Sequence, residues 1–195
     1  MPTVTGLRAR PRHRVAVELD GAAWRTLPVE PVVLAGLRVG GELDRTTARR
    51  LRRELRRVEA LAVAGRSLRA RDLSTRRLLD RLARASVSPA ARDEALGTLT
   101  RAGVVDDARF ASARARALAE RGYGDSAITA DLERHGVPGE LCPAALAELQ
   151  PESERAGRVV QRRGRGAGTA RFLAAKGFSE EALEAALGAD FANDP

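Results

Sequence analysis

Apolar and polar positions change their rhythm near residue 44, and that change divides the chain. Before it, Thr3–Arg10 and Arg14–Leu19 have the β-branched, alternating character of strands with one covered face. Asp20-Gly21 is a hairpin signal, and Ala22–Leu27 can return as a third strand with Trp24 on one face. Pro28 and Pro31 bracket a short connection, Val32–Leu37 reads as one helical turn ended by Gly36, and Val39–Leu43 turns into the next element. Three short strands are marginal alone, so this segment is expected to pack on the residues after it or to hinge from them. From Asp44, a side chain suited to an N-cap, the spacing is helical. Leu51, Leu55, Val58 and Ala62 recur at i+4, i+3 and i+4. Arg49, Arg50, Arg52, Arg53, Arg56 and Arg57 cover much of the remaining surface, as either a solvated face or a phosphate-facing stripe.

A repeat organises the rest. Leu82, Val87 and Leu96 are spaced five and nine apart, as are Leu132, Val137, Leu146 and Leu173, Phe178, Leu187. Alanine precedes the last member each time, and Leu78, Ile128 and Thr169 stand four residues before the first. The turn before the second member reads Ala85-Ser86, His135-Gly136 and Lys176-Gly177, and helix-starting residues follow it: Ser88-Pro89, Pro138 and Ser179-Glu180-Glu181. The upstream turns Arg71–Ser74, Arg121–Gly124 and Arg163–Gly166 also correspond, the last with a one-residue slip. Offsets of 50 and 41 residues with three helices each predict a short helical solenoid. The expected fold is therefore mainly α: three tandem three-helix repeats after a small β-rich N-terminal segment. The expected domains are a β-rich extension over 1–43, a linking helix with the first repeat over 44–103, a second repeat over 104–151 and a third over 152–195.

The second repeat opens with the most explicit helix. Asp106 and Asp107 suit its start, where carboxylates accept unpaired N–H groups. Phe110, Ala113, Ala117 and Leu118 predict its apolar face, Arg114, Arg116 and Arg121 flank that face, and Gly122 and Gly124 end it.

Composition then narrows the function. The net charge is +8 and the pI about 11.2, with Lys176 the only lysine. Arginine's planar fork matches phosphate and carboxylate oxygens, so a polyanionic partner is expected, nucleic acid before anionic membrane. Aromatics are only 3%, too few for a stacking platform of the OB type, which leaves contact mostly electrostatic and indifferent to base sequence. Cys142 is alone, no run is long and apolar enough for a membrane helix, and Met1-Pro-Thr begins no signal peptide, so a cytoplasmic protein is expected.

No catalytic constellation emerges. His13 falls in a predicted strand and His135 in a turn, both read as surface histidines; Cys142 reads as packing. Adjacent Asp106 and Asp107 read as caps rather than a metal pair, and Gly164–Thr169 as a flexible turn, since it lacks the G-K-[ST] ending of a phosphate loop. The expectation is a protein with no cofactor and no enzymatic activity.

The stretch Leu61–Leu149 resembles the regulatory protein RecX family, modulators of the recombinase RecA. The matching residues are Val104–Ala111 (VVDDARFA), Arg121-Gly122-Tyr123-Gly124, Ile128, Leu132 and Gly136-Val137; Lys176–Glu181 resembles the closing repeat, and Leu19–Gly21 with Leu37–Leu43 the β-rich extension of some members. Two departures stand out: Asp125-Ser126 where the family tends to be basic, and Ala85-Ser86 where a Lys-Gly turn is usual. The resemblance implies binding in the groove of a RecA–single-stranded-DNA filament, limiting its extension, strand exchange and co-protease activity in the SOS response. It also implies weaker contact with double-stranded DNA, and a monomer is expected. Its contact surface would be lined by Arg66, Arg69, Arg71, Arg76, Arg77, Arg81, Arg84, Arg114, Arg116, Arg121 and Tyr123, Tyr123 being placed to stack on a base or a partner side chain. The alternative is a helix-turn-helix transcriptional regulator. The Ala/Leu-rich, acidic third helices, Ala90–Leu99 and Leu141–Leu149, argue against it, because a base reader needs exposed polar side chains there.

Overall fold

The computed structural model describes residues 1–188; the end of the expected third repeat, 189–195, lies outside them. Two compact units are present, Met1–Arg71 with Leu79–Arg101, and Asp72–Leu78 with the residues from Ala102 onward.

In the first unit the alternating segments form an antiparallel sheet, β1 (Val4–Arg10), β2 (Arg14–Leu19) and β3 (Ala22–Pro28), with β2 central. Its covered face, Val4, Val15, Val17 and Leu27, packs with Val32, Ala35, Leu37 and Leu51. The helix α1 spans Val29–Leu34, earlier than the expected Val32–Leu37, and Gly36 ends it at φ +75°. Pro31 is tolerated inside it because first-turn N–H groups have no helical partner.

The long helix α2 runs Arg45–Ala70, and Asp44 caps it by accepting from the Thr47 N–H at 2.6 Å. Its buried face is Leu51, Glu54, Ala60 and Ala64; Leu55 and Val58 are half-buried and Ala62 is exposed, unlike the expected stripe. The cause is a carboxylate on the inner face. Glu54 accepts from Arg53 and Arg57, each at 2.9 Å, and Arg57 continues to Glu30 on α1. Further along, small Ala60 lets α4 (Pro89–Arg101) approach through Ala91 and Ala95.

The second unit holds α5 (Asp107–Glu120), α6 (Asp125–Arg134), α7 (Cys142–Ala147) after a 3-10 turn at Gly139–Leu141, α8 (Glu152–Arg163), α9 (Ala167–Ala175) and α10 (Glu180–Leu187), while α3 (Thr75–Arg84) spans the boundary. The repeat is equivalent in detail. Leu82, Leu132 and Leu173 are each 0% exposed. Their carbonyls accept from the N–H of Val87, Val137 and Phe178 at 3.0, 3.1 and 3.2 Å. Between them Ser86, Gly136 and Gly177 take left-handed φ of +59°, +77° and +80°. Each second helix thus ends in the same Schellman turn. Ser86 adopts it without glycine, at about 1–2 kcal/mol of steric strain.

The buried face of α5 is Ala111, Ala115 and Leu118, with Phe110 only half-buried and Ala113 and Ala117 exposed. Alanine recurs so densely in this helix that periodicity alone supports either face.

Candidate functional site

Asp106 and Asp107 are both helix-start residues, but they serve different helices. Asp106 accepts from the Arg109 N–H at 3.0 Å and caps α5 itself. Asp107 accepts from the Thr75 N–H at 2.7 Å and caps α3 of the preceding repeat. Glu152, opening α8, repeats that role: it accepts from the Asp125 N–H at the start of α6 at 2.6 Å, and from the Ser179 hydroxyl.

The repeats are also joined end to end. Ser74, before α3, donates to the His135 carbonyl, and Arg77 donates to that of Arg134 at 2.8 Å. One repeat later, the Gly124 N–H donates to the Lys176 carbonyl at 2.9 Å and the Ser126 N–H to that of Gly177 at 3.2 Å. Both joints set the N–H groups or side chains at one helix start against the carbonyls at another helix end, opposite ends of the macrodipole. Arg155, only 5% exposed, locks the second joint. It donates to the Tyr123 carbonyl at 2.8 Å, to that of Gln150 at 3.0 Å, and to Asp125. This explains the acid after Tyr123-Gly124: Asp125 belongs to the joint.

The expected contact residues have divided roles. Arg66, Arg69, Arg71, Arg81 and Arg84 belong to the first unit, with Arg66 and Arg69 on α2 and Arg81 half-buried on α3. Arg76 is exposed beside Gly136, and Arg77 is the joint donor above. Arg114 grips Asp131 through two bonds of 2.7 and 3.2 Å, and Arg116 pairs with Glu148 at 2.8 Å. Arg121 is exposed with its guanidinium 5.6 Å from the Tyr123 ring. Tyr123 is half-buried on the second-repeat core, and the Lys176 ammonium stands 3.9 Å from its ring centroid.

A second group of cations lies on the third repeat, outside the expected contact surface. Arg162, Arg163, Arg165 and Arg171 are exposed and Arg158 lies near them on α8, with no acidic partner for any of the five among the described residues. Arg163 lies 4.1 Å from the Phe172 ring, so this surface carries aromatic as well as cationic character. Between α5 and α8 a cleft of about 490 Å³ is lined by Arg116, Arg158 and Arg162 with Glu120 and Glu148. The sequence marks this region only by the Arg163–Gly166 turn, the Gly164–Thr169 stretch and the resemblance of Lys176–Glu181 to a closing repeat.

His13 lies in the β1–β2 turn rather than in a strand. His135 is half-buried at the end of α6, its Nδ1 2.8 Å from the Asp131 carbonyl. Cys142 is buried in the second-repeat core, and that burial raises its thiol pKa. Gly164–Gly166 joins α8 to α9. Among the described residues no cluster of ligands suits a metal, and no helix is long and apolar enough to cross a membrane.

The Arg114 bond holds Asp131 below the usual carboxylate range. Such a group stabilises fully above its unfolded pKa of about 3.9 and ceases to do so as pH falls through the lower folded value. Asp131→Asn should therefore cost about 1 kcal/mol at pH 7, discounted because Arg114 is partly exposed. Urea unfolding between pH 7 and about pH 2–3 should show that deficit disappear; a pH-independent deficit would assign it to packing.

The second-repeat residues 106–146 match the family model described as RecX, second three-helix domain. The chain is 35% identical over 126 residues to regulatory protein RecX of Xanthomonas oryzae pv. oryzae (strain MAFF 311018), covering 60% of this chain and 79% of that one. It is 34% identical over 146 residues to regulatory protein RecX of Acidithiobacillus ferrooxidans (strain ATCC 53993 / BNL-5-31), covering 71% of this chain and 97% of that one. A crystal structure of regulatory protein RecX shares the fold with a TM-score of 0.81 at 18% identity, over 95% of this chain and 98% of that one. RecX from Lactobacillus salivarius gives 0.59 at 15% identity, over 66% and 92%. Matching sequence over most of the length of these relatives, with the repeated turns and the fold in common, shows that the chain belongs to the regulatory protein RecX family.

Proposed function

We propose that this chain restrains the recombinase RecA by binding the groove of its filament on single-stranded DNA, performing no chemistry of its own. The observation that carries the reading is the cationic and aromatic surface of the third repeat, built from Arg158, Arg162, Arg163, Arg165 and Arg171 beside Phe172. Arginines meet phosphate by charge-assisted, sequence-independent contacts. Acids of the adjoining second repeat, Glu120 and Glu148, line the cleft beside this surface and suit the protein component of a filament rather than its DNA. A bound chain of this kind would limit filament extension, strand exchange and co-protease activity, bind duplex DNA more weakly, and act as a monomer in the cytoplasm. The third helix α10 carries Glu180, Glu181 and Glu184, which a helix in the major groove would bring towards phosphates, so the transcriptional-regulator reading is the weaker one.

The test is ATP hydrolysis by RecA on single-stranded DNA with substoichiometric amounts of this protein. Hydrolysis should fall. Arg162→Glu with Arg165→Glu should need at least about 100-fold more protein for the same inhibition, at about 1.5–3 kcal/mol per broken charge-assisted bond. The melting temperature should not move, since both side chains are exposed. Inhibition equal to the parent's would remove the third repeat from the contact surface, and no inhibition by the parent would end the reading.

A further inference from the structure

The β1–β2 hairpin has a charge pattern that its own fold does not need. Residues 1–17 contain Arg8, Arg10, Arg12 and Arg14 and no acid. The register sets Arg10 directly opposite Arg14, and like charges in that position weaken a ladder. Val15 and Val17 are buried, so Arg8, Arg10 and Arg14 alternate onto the uncovered face, in rows with Ala16 and Thr26. Arg8 reaches Glu18 at 3.3 Å and Arg14 donates to the Thr26 carbonyl at 2.6 Å. Arg10 and Arg12 have no side-chain partner among the described residues.

The two hairpins of this sheet solve the same turn differently. The β2–β3 turn uses Asp20 and Gly21 at φ +50° and +81°, residue types that tolerate left-handed backbone. The β1–β2 turn places Arg12 and His13 at +61° and +53°, where L side chains are strained. The tip therefore keeps an arginine and a histidine where glycine or asparagine would be favoured.

We propose that this hairpin is a nucleic-acid contact in its own right, taking a phosphodiester backbone along the open face and tip through Arg10, Arg12 and Arg14. Its neighbours there, Pro11, Ala16 and Thr26, offer no large apolar anchor of the kind a protein interface uses, whereas backbone binding needs only cations. The site belongs to the first unit, and its binding does not depend on the recombinase.

The experiment measures anisotropy of a labelled oligo(dT) and of a duplex of equal length with the full chain over a range of salt. Arg10→Gln with Arg12→Gln should reduce affinity at least about tenfold at low salt. Removing two phosphate contacts should also lower the slope of log K against log salt, by about 1.4 for single strands or about 1.8 for duplex. The strand form that shows the loss identifies the source of the phosphates. The melting temperature should hold or rise, because Arg10→Gln removes the repulsion from Arg14; a structural role would lower it instead. Unchanged slopes on both DNAs overturn the proposal. So does a loss confined to labelled polyglutamate of matched charge, which would make the hairpin an acidic-protein contact. Either failure leaves inhibition of the RecA filament to be judged by its own assay.

Discussion

Gly124→Ala should destabilise the second unit by about 3 kcal/mol or more, although Gly124 has φ −82°, a value any residue adopts. The reason lies across the joint. A methyl group there would fall on the Gly177–Phe178 peptide, well inside van der Waals contact. Gly177 is as tightly placed: its own Cβ would lie 2.6 Å from the Ala127 nitrogen, and its φ is +80°. Backbone meets backbone here, so no side chain can rotate away. Relief requires the joint to open, which breaks the Gly124–Lys176 and Ser126–Gly177 hydrogen bonds as well. Overpacking alone costs about 1–3 kcal/mol, and each broken bond adds about 0.5–1.5 kcal/mol. Gly166→Ala is the control. Gly166 precedes α9 as Gly124 precedes α6, its backbone is extended at φ 162°, and nothing lies within 4 Å of an added Cβ. Urea unfolding should separate the two variants clearly. Equal midpoints would show that the joint tolerates a methyl group and does not hold the repeats together.

Much of this architecture was legible because it depends on local chemistry. Strand alternation, Asp20-Gly21, the Asp44 cap and the Leu82, Leu132 and Leu173 turns are all set within a few residues. What stayed hidden is long-range. Asp107 looks like a second cap for its own helix, and only the folded chain brings the Thr75 N–H to it from 32 residues away. The alanine-rich α5 gave no unique face, so Phe110 read as core and is half-buried. Arg114 stood out as an exposed cation, yet its bond to Asp131 spans two helices and makes it structural. A charge swap at Arg114 would thus disturb the fold together with any surface it serves. The third-repeat cations carry no mark in the pattern beyond the Arg163–Gly166 turn, because the absence of acidic neighbours is a property of space and not of spacing.

Arg155→Ala should be the most damaging arginine substitution in the second unit, at about 3 kcal/mol, the low end of the range for removing one partner of a buried ion pair because the Asp125 side chain is itself partly exposed. Arg155 is 5% exposed and its guanidinium serves three acceptors drawn from separate segments, the Gln150 and Tyr123 carbonyls and the Asp125 carboxylate. Removing it leaves those carbonyls short of a donor and Asp125 facing Glu152 without a cation. Burial already pushes the Asp125 carboxyl above its usual range, with Arg155 opposing that shift and Glu152 adding to it. Without Arg155 the rise should be larger. A carboxyl with a raised folded pKa favours the folded state at low pH and loses that contribution as pH climbs through the folded value. The variant's deficit should therefore shrink as pH falls from 7 through the raised folded value towards the unfolded one of about 3.9. Arg155→Lys should recover little, since one ammonium cannot span three acceptors held by a planar fork. Chemical denaturation of both variants at about pH 7 and about pH 5 decides the matter. If Arg155→Ala unfolds at the parent's midpoint, or its deficit deepens on acidification, Arg155 is not the lock of this joint.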